Sequence, residues 1–151
     1  MKIAYRYAVK EDLPTIVRML ADDELGAKRE SFVLPLPDVY ENAFIEMTKQ
    51  KGNDILVAER DGILIGFLQL LFIPGLARLG MKRAQIEGVR VDRNSRGKEV
   101  GKALVEEAIR IARDQQCGLI QLTTDKQRKD AHRFYEKLGF KPSHNGMKLY
   151  L

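Results

Sequence analysis

Apolar residues recur along the chain with two periods, one typical of strands and one typical of helices. Runs rich in β-branched and aromatic residues predict strands over residues 3–9, 54–60, 63–73, 84–91 and 119–124. The second and third runs are joined by Asp61 and Gly62, a dipeptide that supplies the positive φ angles of a tight hairpin. These two strands are therefore expected to pair in antiparallel fashion.

Helical spacing of apolar residues predicts four helices between and after these strands. The first contains Leu13, Ile16, Val17 and Leu20, the second spans residues 39–51, the third spans 97–116, and the last contains Ala131, Phe134, Tyr135 and Leu138 and ends at Gly139. Residues 26–37 are expected to be irregular, and Phe140 and residues 147–151 are expected to add closing strands. This order predicts an α/β fold, a mixed sheet with helices on both faces, in a single domain over residues 1–151.

The composition is that of a globular protein and does not indicate a function. The 151 residues are 44% hydrophobic and 31% charged, which is typical of a globular domain. No apolar run approaches the roughly 18 residues of a membrane span, and the first residues lack the apolar core of a signal peptide. Cys117 is the single cysteine and there are two histidines, so neither a disulfide nor a metal-ligand cluster is expected. These features predict a cytoplasmic protein without a metal or a membrane partner.

A basic turn coincides with a predicted boundary between a strand and a helix. The net charge of +5 favours polyanionic partners in general, but the positive residues are densest over residues 90–98. Free N–H groups and the positive end of the dipole make a helix N-terminus a phosphate site, to which Arg96, Lys98 and Lys102 would add charge. The spacing matches neither a Walker loop nor a dinucleotide-binding fingerprint. A phosphorylated cofactor of another kind is therefore expected here.

Two stretches carry a resemblance to a known family. Residues 96–101 resemble the acetyl-CoA-binding motif of the GNAT superfamily, with Arg96 and Gly101 at its two ends. Residues 130–140 resemble a later motif of the same superfamily, which is Ala-x-x-Phe-Tyr-x-x-x-Gly-Phe. The predicted order of elements is also similar to that fold. The chain thus resembles the acetyl-CoA-dependent N-acetyltransferases of that superfamily, and a GNAT-like sheet is expected.

The resemblance implies acetyl-CoA as co-substrate and a set of residues that hold it. These are Val89, Arg90, Val91, Arg96, Gly97, Lys98, Glu99, Val100, Gly101, Lys102 and Arg128. Two of them depart from the family pattern, since Glu99 occupies a slot where glycine is usual and Arg128 one where asparagine is common. A carboxylate at position 99 would lie near the pyrophosphate or point to solvent.

The mechanism implied by the resemblance is direct attack of an amine on the thioester. Tyr135 matches the position of an acid near the CoA sulfur, and Glu87 that of a base. The structural alternatives are a core aromatic for Tyr135 and a solvated or salt-bridged strand residue for Glu87. The acidic run 22–24 would either hold a cationic acceptor or end a helix in solvent.

The acceptor itself has no signature in the sequence. A small-molecule amine and a protein amine remain open, and a homodimer is common among similar proteins. Two other functions remain as alternatives, a non-catalytic acyl-CoA sensor and a nucleic-acid-binding transcriptional regulator. Nucleic acid is the less favoured partner, because there is no defensible helix-turn-helix spacing, no zinc site and no aromatic-lined basic strand.

Overall fold

The computed structural model describes residues 2–97 and 99–151. Its strands are β1 (Ala4–Tyr7), β2 (Asn53–Arg60), β3 (Ile63–Ile73), β4 (Arg83–Val91) and β5 (Leu119–Leu122). Its helices are α1 (Leu13–Leu20), α2 (Glu24–Arg29), α3 (Asp38–Lys49), α4 (Ala77–Gly80), α5 (Val100–Asp114) and α6 (Lys129–Lys137), and two 3-10 turns lie at Lys10–Asp12 and Arg93–Ser95. The segment α4 is a single turn in which Arg78 and Leu79 have left-handed backbone angles.

The strands form one sheet in the order β1-β2-β3-β4-β5. The first four are antiparallel to their neighbours, whereas β4 and β5 run parallel. Asp61 and Gly62 join β2 to β3 with φ angles of 53° and 75°, as the hairpin prediction requires. The predicted mixed sheet is confirmed.

The larger core lies between the sheet and α5. The buried face of α5 repeats at helical spacing, and it packs on strand residues that alternate along β2, β3 and β4. Gly66 on β3 permits this packing, because a Cβ at that position would lie 2.9 Å from a Leu104 methyl and 3.0 Å from the Arg90 carbonyl. Helix α5 therefore lies close against the sheet next to β4.

A second core on the opposite face of the sheet is built around α1. Ile16 and Met19 pack there on Val57, Leu64 and Phe67. The predicted placement of helices on both faces is therefore confirmed. No helix in the described part of the chain has the length and apolar character needed to cross a bilayer.

Two of the predictions of local structure are wrong. Part of the segment expected to be irregular is helical, because Asp23 begins α2 by accepting a hydrogen bond of 2.5 Å from the Gly26 N–H. The closing strands are absent from the described residues. Phe140 instead donates its N–H to the Tyr135 carbonyl at the end of α6, and residues 147–151 belong to no strand.

Candidate active site

The two parallel strands separate halfway along β4. They pair from Arg83 opposite Leu119 to Ile86 opposite Leu122, and no further. Beyond Ile86, β4 continues to Val91 while it stays paired with β3 on its other side. Residues 87–91 therefore have a backbone edge that faces an opening rather than a strand.

A β-bulge at Gly88 and Val89 marks the point where β4 leaves β5. Gln69 pairs with Glu87 and Phe67 pairs with Arg90, so two residues of β4 oppose the single Leu68. Gly88 has a φ of +61° with open space around a hypothetical Cβ, so backbone conformation and not crowding favours glycine. A bulge of this kind bends its strand and increases the local twist.

The bulge also resets which face of the sheet each side chain occupies. Ile86 and Val89, which are three residues apart, both pack in the core beneath α5. By the same shift Glu87 and Arg90 lie on the opposite face, where α1 and α2 are found. A lone glycine within the predicted strand is the sequence signal for this bulge, and the prediction did not use it.

The basic turn leads from the end of β4 into α5. Gly97 has a φ of +77°, Lys98 lies outside the described residues, and Glu99 is exposed with a left-handed φ of 60°. The first helical bond runs 3.0 Å from the Ala103 N–H to the Glu99 carbonyl, which leaves the N–H groups of residues 100–102 directed out of the helix end. This geometry matches the helix start that the sequence predicts as a phosphate site.

The arginines of this turn are tied to the end of α1. Arg93 pairs with Asp22, and Arg96 approaches the same carboxylate at 3.4 Å and the Val91 carbonyl at 3.3 Å. The hydrogen bond from Arg93 lowers the pKa of Asp22. Lys102 lies 3.8 Å from Glu106. Arg96 and Lys102 remain about half exposed, so both side chains can turn toward a phosphate.

A charged cluster lies on the α2 side of the opening. Arg128 pairs with Asp23, and Arg90 donates a hydrogen bond of 2.9 Å to the Val89 carbonyl. Burial alone would raise the pKa of Asp23, but hydrogen bonds from Arg128 and the Gly26 N–H hold it below its usual value. Asp22 and Asp23 thus contact arginines, and neither is left as a free site for a cation.

Each of the two arginines in this cluster has a side-chain nitrogen without a hydrogen-bond acceptor. The Arg90 Nε and one terminal nitrogen of Arg128 are buried and have no hydrogen-bond partner within residues 2–97 and 99–151. Burial lowers the pKa of Arg90, and repulsion from Arg128 lowers it further. Unsatisfied buried donors cost about 1–3 kcal/mol each, and more when charged. Both arginines bring positive charge close to Asp23 and Tyr135.

Tyr135 is held beside these arginines by the end of α6. Phe140 donates its N–H to the Tyr135 carbonyl at 3.1 Å and Gly139 donates to the Glu136 carbonyl at 3.0 Å, with Gly139 at a φ of 97°. These bonds form a Schellman motif. The Tyr135 ring lies edge-on to Phe134 and Phe140, at 5.0 Å and 5.7 Å between centroids. The Gly-Phe pair of the sequence motif therefore fixes the tyrosine ring.

The Tyr135 hydroxyl is suited to donate a proton. Burial raises its pKa above the ordinary phenol value of 10.0, although the positive charges of Arg90 and Arg128 act in the opposite direction. The group is consequently protonated at neutral pH. Its hydroxyl makes no hydrogen bond to any described residue, so it is available to a ligand in the opening.

Glu87 lies in a chain of polar side chains that crosses from β5 to β4. Gln121 donates to Gln85 at 2.9 Å, and Gln85 donates to Glu87 at 2.7 Å. Glu87 is exposed. Its carboxylate therefore keeps acceptor capacity toward solvent on the face of the sheet that also carries Arg90.

An open depression of about 380 Å³ lies at the start of α6. It is lined by Gln127, Arg128, Lys129, Asp130 and Ala131. A larger depression of about 520 Å³ lies elsewhere, between β3 and the start of α1. The charged residues in its lining already pair with one another, Arg6 with Asp12 and Arg18 with Asp92. The smaller one is the more relevant, because it contains a member of the arginine pair.

A mixed sheet that opens between its two parallel strands, next to a helix N-terminus, is the architecture that this chain shares with solved acetyltransferases. Residues 17–140 match the model of the Acetyltransferase (GNAT) family, and the chain belongs to that family. Acetyltransferases of this family use acetyl-CoA.

Two similar proteins carry acetyltransferase names, and a third is described differently. A protein named glucosamine 6-phosphate N-acetyltransferase from Trypanosoma brucei brucei is 30% identical over 89% of this chain and 95% of its own length. The crystal structure of an acetyltransferase from Trypanosoma brucei superposes with a TM-score of 0.79 at 28% identity, over 99% of this chain and 100% of the other. A structure described as a transcriptional regulator from Bacillus halodurans C-125 has 49% identity and a TM-score of 0.95, over 99% and 100%.

Proposed function

We propose that this protein transfers the acetyl group of acetyl-CoA to an amine by direct attack within a ternary complex. The observation that carries the proposal is the unpaired edge of β4 over residues 87–91, which leads through the basic turn to the N-terminus of α5. Arg90 in this edge lies near enough to Tyr135 for its charge to act on the phenol. An extended ligand with amide groups can hydrogen-bond to such an edge as an added strand does.

The proposed coenzyme position follows from these features. The backbones of Val89, Arg90 and Val91 hold the pantetheine arm, and the pyrophosphate binds the N–H groups that open α5. The turn residues contributing to that site are Arg96, Gly97, Lys98, Glu99, Val100, Gly101 and Lys102. Arg96 would exchange Asp22 for phosphate, and Arg128 borders the opening on its other side.

The proposed chemistry moves three protons. The acceptor ammonium first loses a proton, with the exposed Glu87 carboxylate as base, directly or through water. The free amine attacks the thioester carbonyl, the carbon-sulfur bond breaks, and the nitrogen loses its second proton to water as the amide forms; this proton restores the one that Tyr135 gives up. Tyr135 gives its proton, or a hydrogen bond, to the departing thiolate. The raised pKa of Tyr135 supports this role, because an acid must be protonated at the working pH.

The charged cluster supports a class of acceptor. Arg90 and Arg128 present buried, unsatisfied N–H groups on the face of the sheet opposite α5, near Tyr135. We therefore propose that the acceptor is a small amine that also bears an acidic group, which these arginines bind. A phosphorylated amino sugar has this chemistry, and the relative named glucosamine 6-phosphate N-acetyltransferase makes it the first compound to try.

The proposed function is tested by thermal unfolding with acetyl-CoA and by turnover. A ligand at 100 times its Kd stabilises the folded state by about 2.7 kcal/mol, which raises Tm by about 5–10 °C for a chain of this size. Pantetheine, which lacks the pyrophosphate, should give a much smaller shift. Release of free thiol is then followed across a panel of amines. No shift at saturating acetyl-CoA would exclude the enzyme and the acyl-CoA sensor together, and a shift without turnover on any amine would favour the sensor.

The arginine pair predicts a preference between matched acceptors. Amines that differ by one acidic group, such as glucosamine and its 6-phosphate, should differ at least about tenfold in kcat/KM, since a charged hydrogen bond contributes about 1.5–3 kcal/mol. Arg128→Gln should remove most of this preference. Arg133→Gln, an exposed change within α6, the helix that Arg128 precedes, is the control. An unchanged preference in Arg128→Gln would place the anion elsewhere.

Cys117 is predicted to be dispensable for turnover. It follows the C-terminal end of α5, about 22 Å along the helix from the anion site, and burial raises the pKa of its thiol. Both facts disfavour an acetyl-cysteine intermediate. Cys117→Ser should keep most of the activity, and initial-rate plots should intersect as direct transfer requires. Parallel plots together with a trapped acetyl-enzyme would contradict direct transfer.

A nucleic-acid-binding regulator is the second candidate, because a neighbour at 49% identity is described as a transcriptional regulator. The structure offers it little support. Arg93 and Arg96 of the basic turn contact Asp22, and Arg18 pairs with Asp92. A DNA mobility shift that persists at near-physiological ionic strength would favour this candidate, since non-specific binding weakens steeply with salt.

A further inference from the structure

Gln69 on β3 lies directly beside Glu87, the base of the proposed reaction. The two residues are partners in the register of β3 with β4, so their side chains leave the sheet on the same face. Leu68 and Leu70, which flank Gln69 along its strand, are buried in the core beneath α5, so Gln69 faces the opposite side. Residues paired across antiparallel strands have Cβ atoms about 4.5–5.5 Å apart. One small ligand group can therefore contact both side chains.

Hydrogen bonds around Asn53 set the direction of the Gln69 carboxamide. The Nε2 of Gln69 donates a hydrogen bond of 2.8 Å to the Oδ1 of Asn53, whose Nδ2 donates one of 2.8 Å to the Oε1 of Gln50. Asn53 is only 8% exposed, so water competes little for these bonds. With the Gln69 amide turned over, two carbonyl oxygens would face each other. Gln69 therefore turns its nitrogen toward β2, away from Glu87.

The oxygen of the same carboxamide is available as an acceptor. Within residues 2–97 and 99–151, the buried side-chain atoms that lack a hydrogen-bond partner are all arginine nitrogens. The Oε1 of Gln69 has no donor from these residues and is not among those buried atoms, so it is in contact with solvent. A ligand on this face of the sheet can donate a hydrogen bond to it.

Glu87 meets the nitrogen of a second carboxamide on its other side. Gln85 donates a hydrogen bond of 2.7 Å to the Oε1 of Glu87, and its own oxygen accepts one of 2.9 Å from Gln121. This donor holds one carboxylate oxygen in place and leaves the other exposed, without a donor from the described residues. The free carboxylate oxygen and the Gln69 oxygen are thus neighbouring acceptors that call for a ligand rich in N–H groups.

We propose that Gln69 binds the acceptor nitrogen together with Glu87 and thereby selects primary amines. The inference rests on the proposed function, because it takes Glu87 as the base. A primary ammonium has three N–H bonds. Glu87 removes the first proton, which frees the lone pair for attack, and water removes the second as the amide forms. The third N–H stays on the nitrogen throughout, and the Gln69 oxygen accepts it before and after attack. A secondary amine keeps no N–H in its product, so it cannot maintain this bond.

The first test removes the oxygen in Gln69→Met, which keeps an unbranched side chain of similar length. The substrate is glucosamine 6-phosphate, or the amine with the fastest turnover in the panel if that is another compound. The kcat/KM for the amine should fall at least about tenfold, because a hydrogen bond to a charged group is lost. The Kd for acetyl-CoA should stay unchanged. Gln115→Met removes an exposed carboxamide just beyond α5 and is the control. Circular dichroism verifies that both variants are folded.

The N-methyl derivative of the same amine provides a readout that a structural role of Gln69 would not change. The wild type should use the primary amine at least about tenfold better, since only this amine keeps an N–H for Gln69. Gln69→Met should lose most of this preference. A wild type that uses both amines equally, an unchanged kcat/KM in Gln69→Met, or an unchanged preference in that variant would each overturn this inference and leave the proposed function standing. No turnover on any amine would remove the proposed function, and this inference with it.

Discussion

Replacing Tyr135 by phenylalanine is expected to lower kcat about 100-fold on a verified acceptor, with little change in the Kd for acetyl-CoA. The change keeps the ring that packs between Phe134 and Phe140 and removes only the hydroxyl. A factor of 100 corresponds to about 2.7 kcal/mol of transition-state stabilisation and is the low end for lost acid-base assistance. The low end is expected because a thiolate leaves moderately well without help.

The pH dependence of kcat provides an independent readout for Tyr135. The protonated phenol is the active form, and its pKa lies above 10.0, so the wild-type rate should stay high on the alkaline side until the pH exceeds that value. Any decline beyond that point should be absent in Tyr135→Phe. A variant that retains the wild-type kcat, with chemistry shown to limit the rate, would leave Tyr135 as a packing residue only.

A matched control addresses the effect of the substitution on packing. Phe140→Leu removes the partner ring at the end of α6 and keeps the Tyr135 hydroxyl. If the phenol acts as an acid, Phe140→Leu should lower stability more than Tyr135→Phe does and lower kcat less. The opposite ranking would attribute the effect to ring packing.

Local features of the sheet and helices could be predicted from the sequence because they depend on neighbouring residues. The hairpin at Asp61 and Gly62 and the helix stop at Gly139 each need a particular backbone angle at one position, and the residue that supplies it is visible in the chain. The stop also explains physically why a Gly-Phe pair follows the tyrosine. Phe140 closes the Schellman motif and contacts the ring that the motif positions.

Features that depend on distant residues could not be predicted in this way. The pairs Asp22 with Arg93 and Asp23 with Arg128 join residues 71 and 105 positions apart, and nothing in the local pattern links them. The acidic run therefore remained ambiguous between a cation site and a solvated helix end. The faces occupied by Glu87 and Arg90 depend on the register with β3, which a strand pattern alone does not fix.

The closing strands expected at Phe140 and residues 147–151 could not be predicted reliably from pattern alone. The alternation over residues 147–151 is typical of a strand, but a strand needs a partner edge as well as a pattern. Residues 147–151 make no backbone hydrogen bond to another described residue, so the alternation alone does not produce a strand.

Replacing Gly101 at the start of α5 by aspartate should weaken acetyl-CoA binding at least about tenfold. The residue lies in the first turn, whose N–H groups are proposed to hold the pyrophosphate, so a carboxylate there would repel the ligand by more than the 1.4 kcal/mol of a tenfold change. A Cβ at this position would contact Phe134 at 3.4 Å, which is an ordinary distance. Gly101→Ala adds that atom without charge and should bind nearly as well as the wild type.

Glu99→Gly should change the affinity for acetyl-CoA in the opposite direction, and binding should become a few-fold tighter. The substitution removes a carboxylate from the proposed pyrophosphate site and places glycine at a φ of 60°, where a side chain costs about 1–2 kcal/mol. Glu99→Gln removes the charge and keeps the unfavourable backbone, so it separates the two contributions. Calorimetric titration with acetyl-CoA measures all four variants. If Gly101→Asp and Glu99→Gly both bind like the wild type, the pyrophosphate lies away from the start of α5, and the basic turn contributes only its contacts with Asp22.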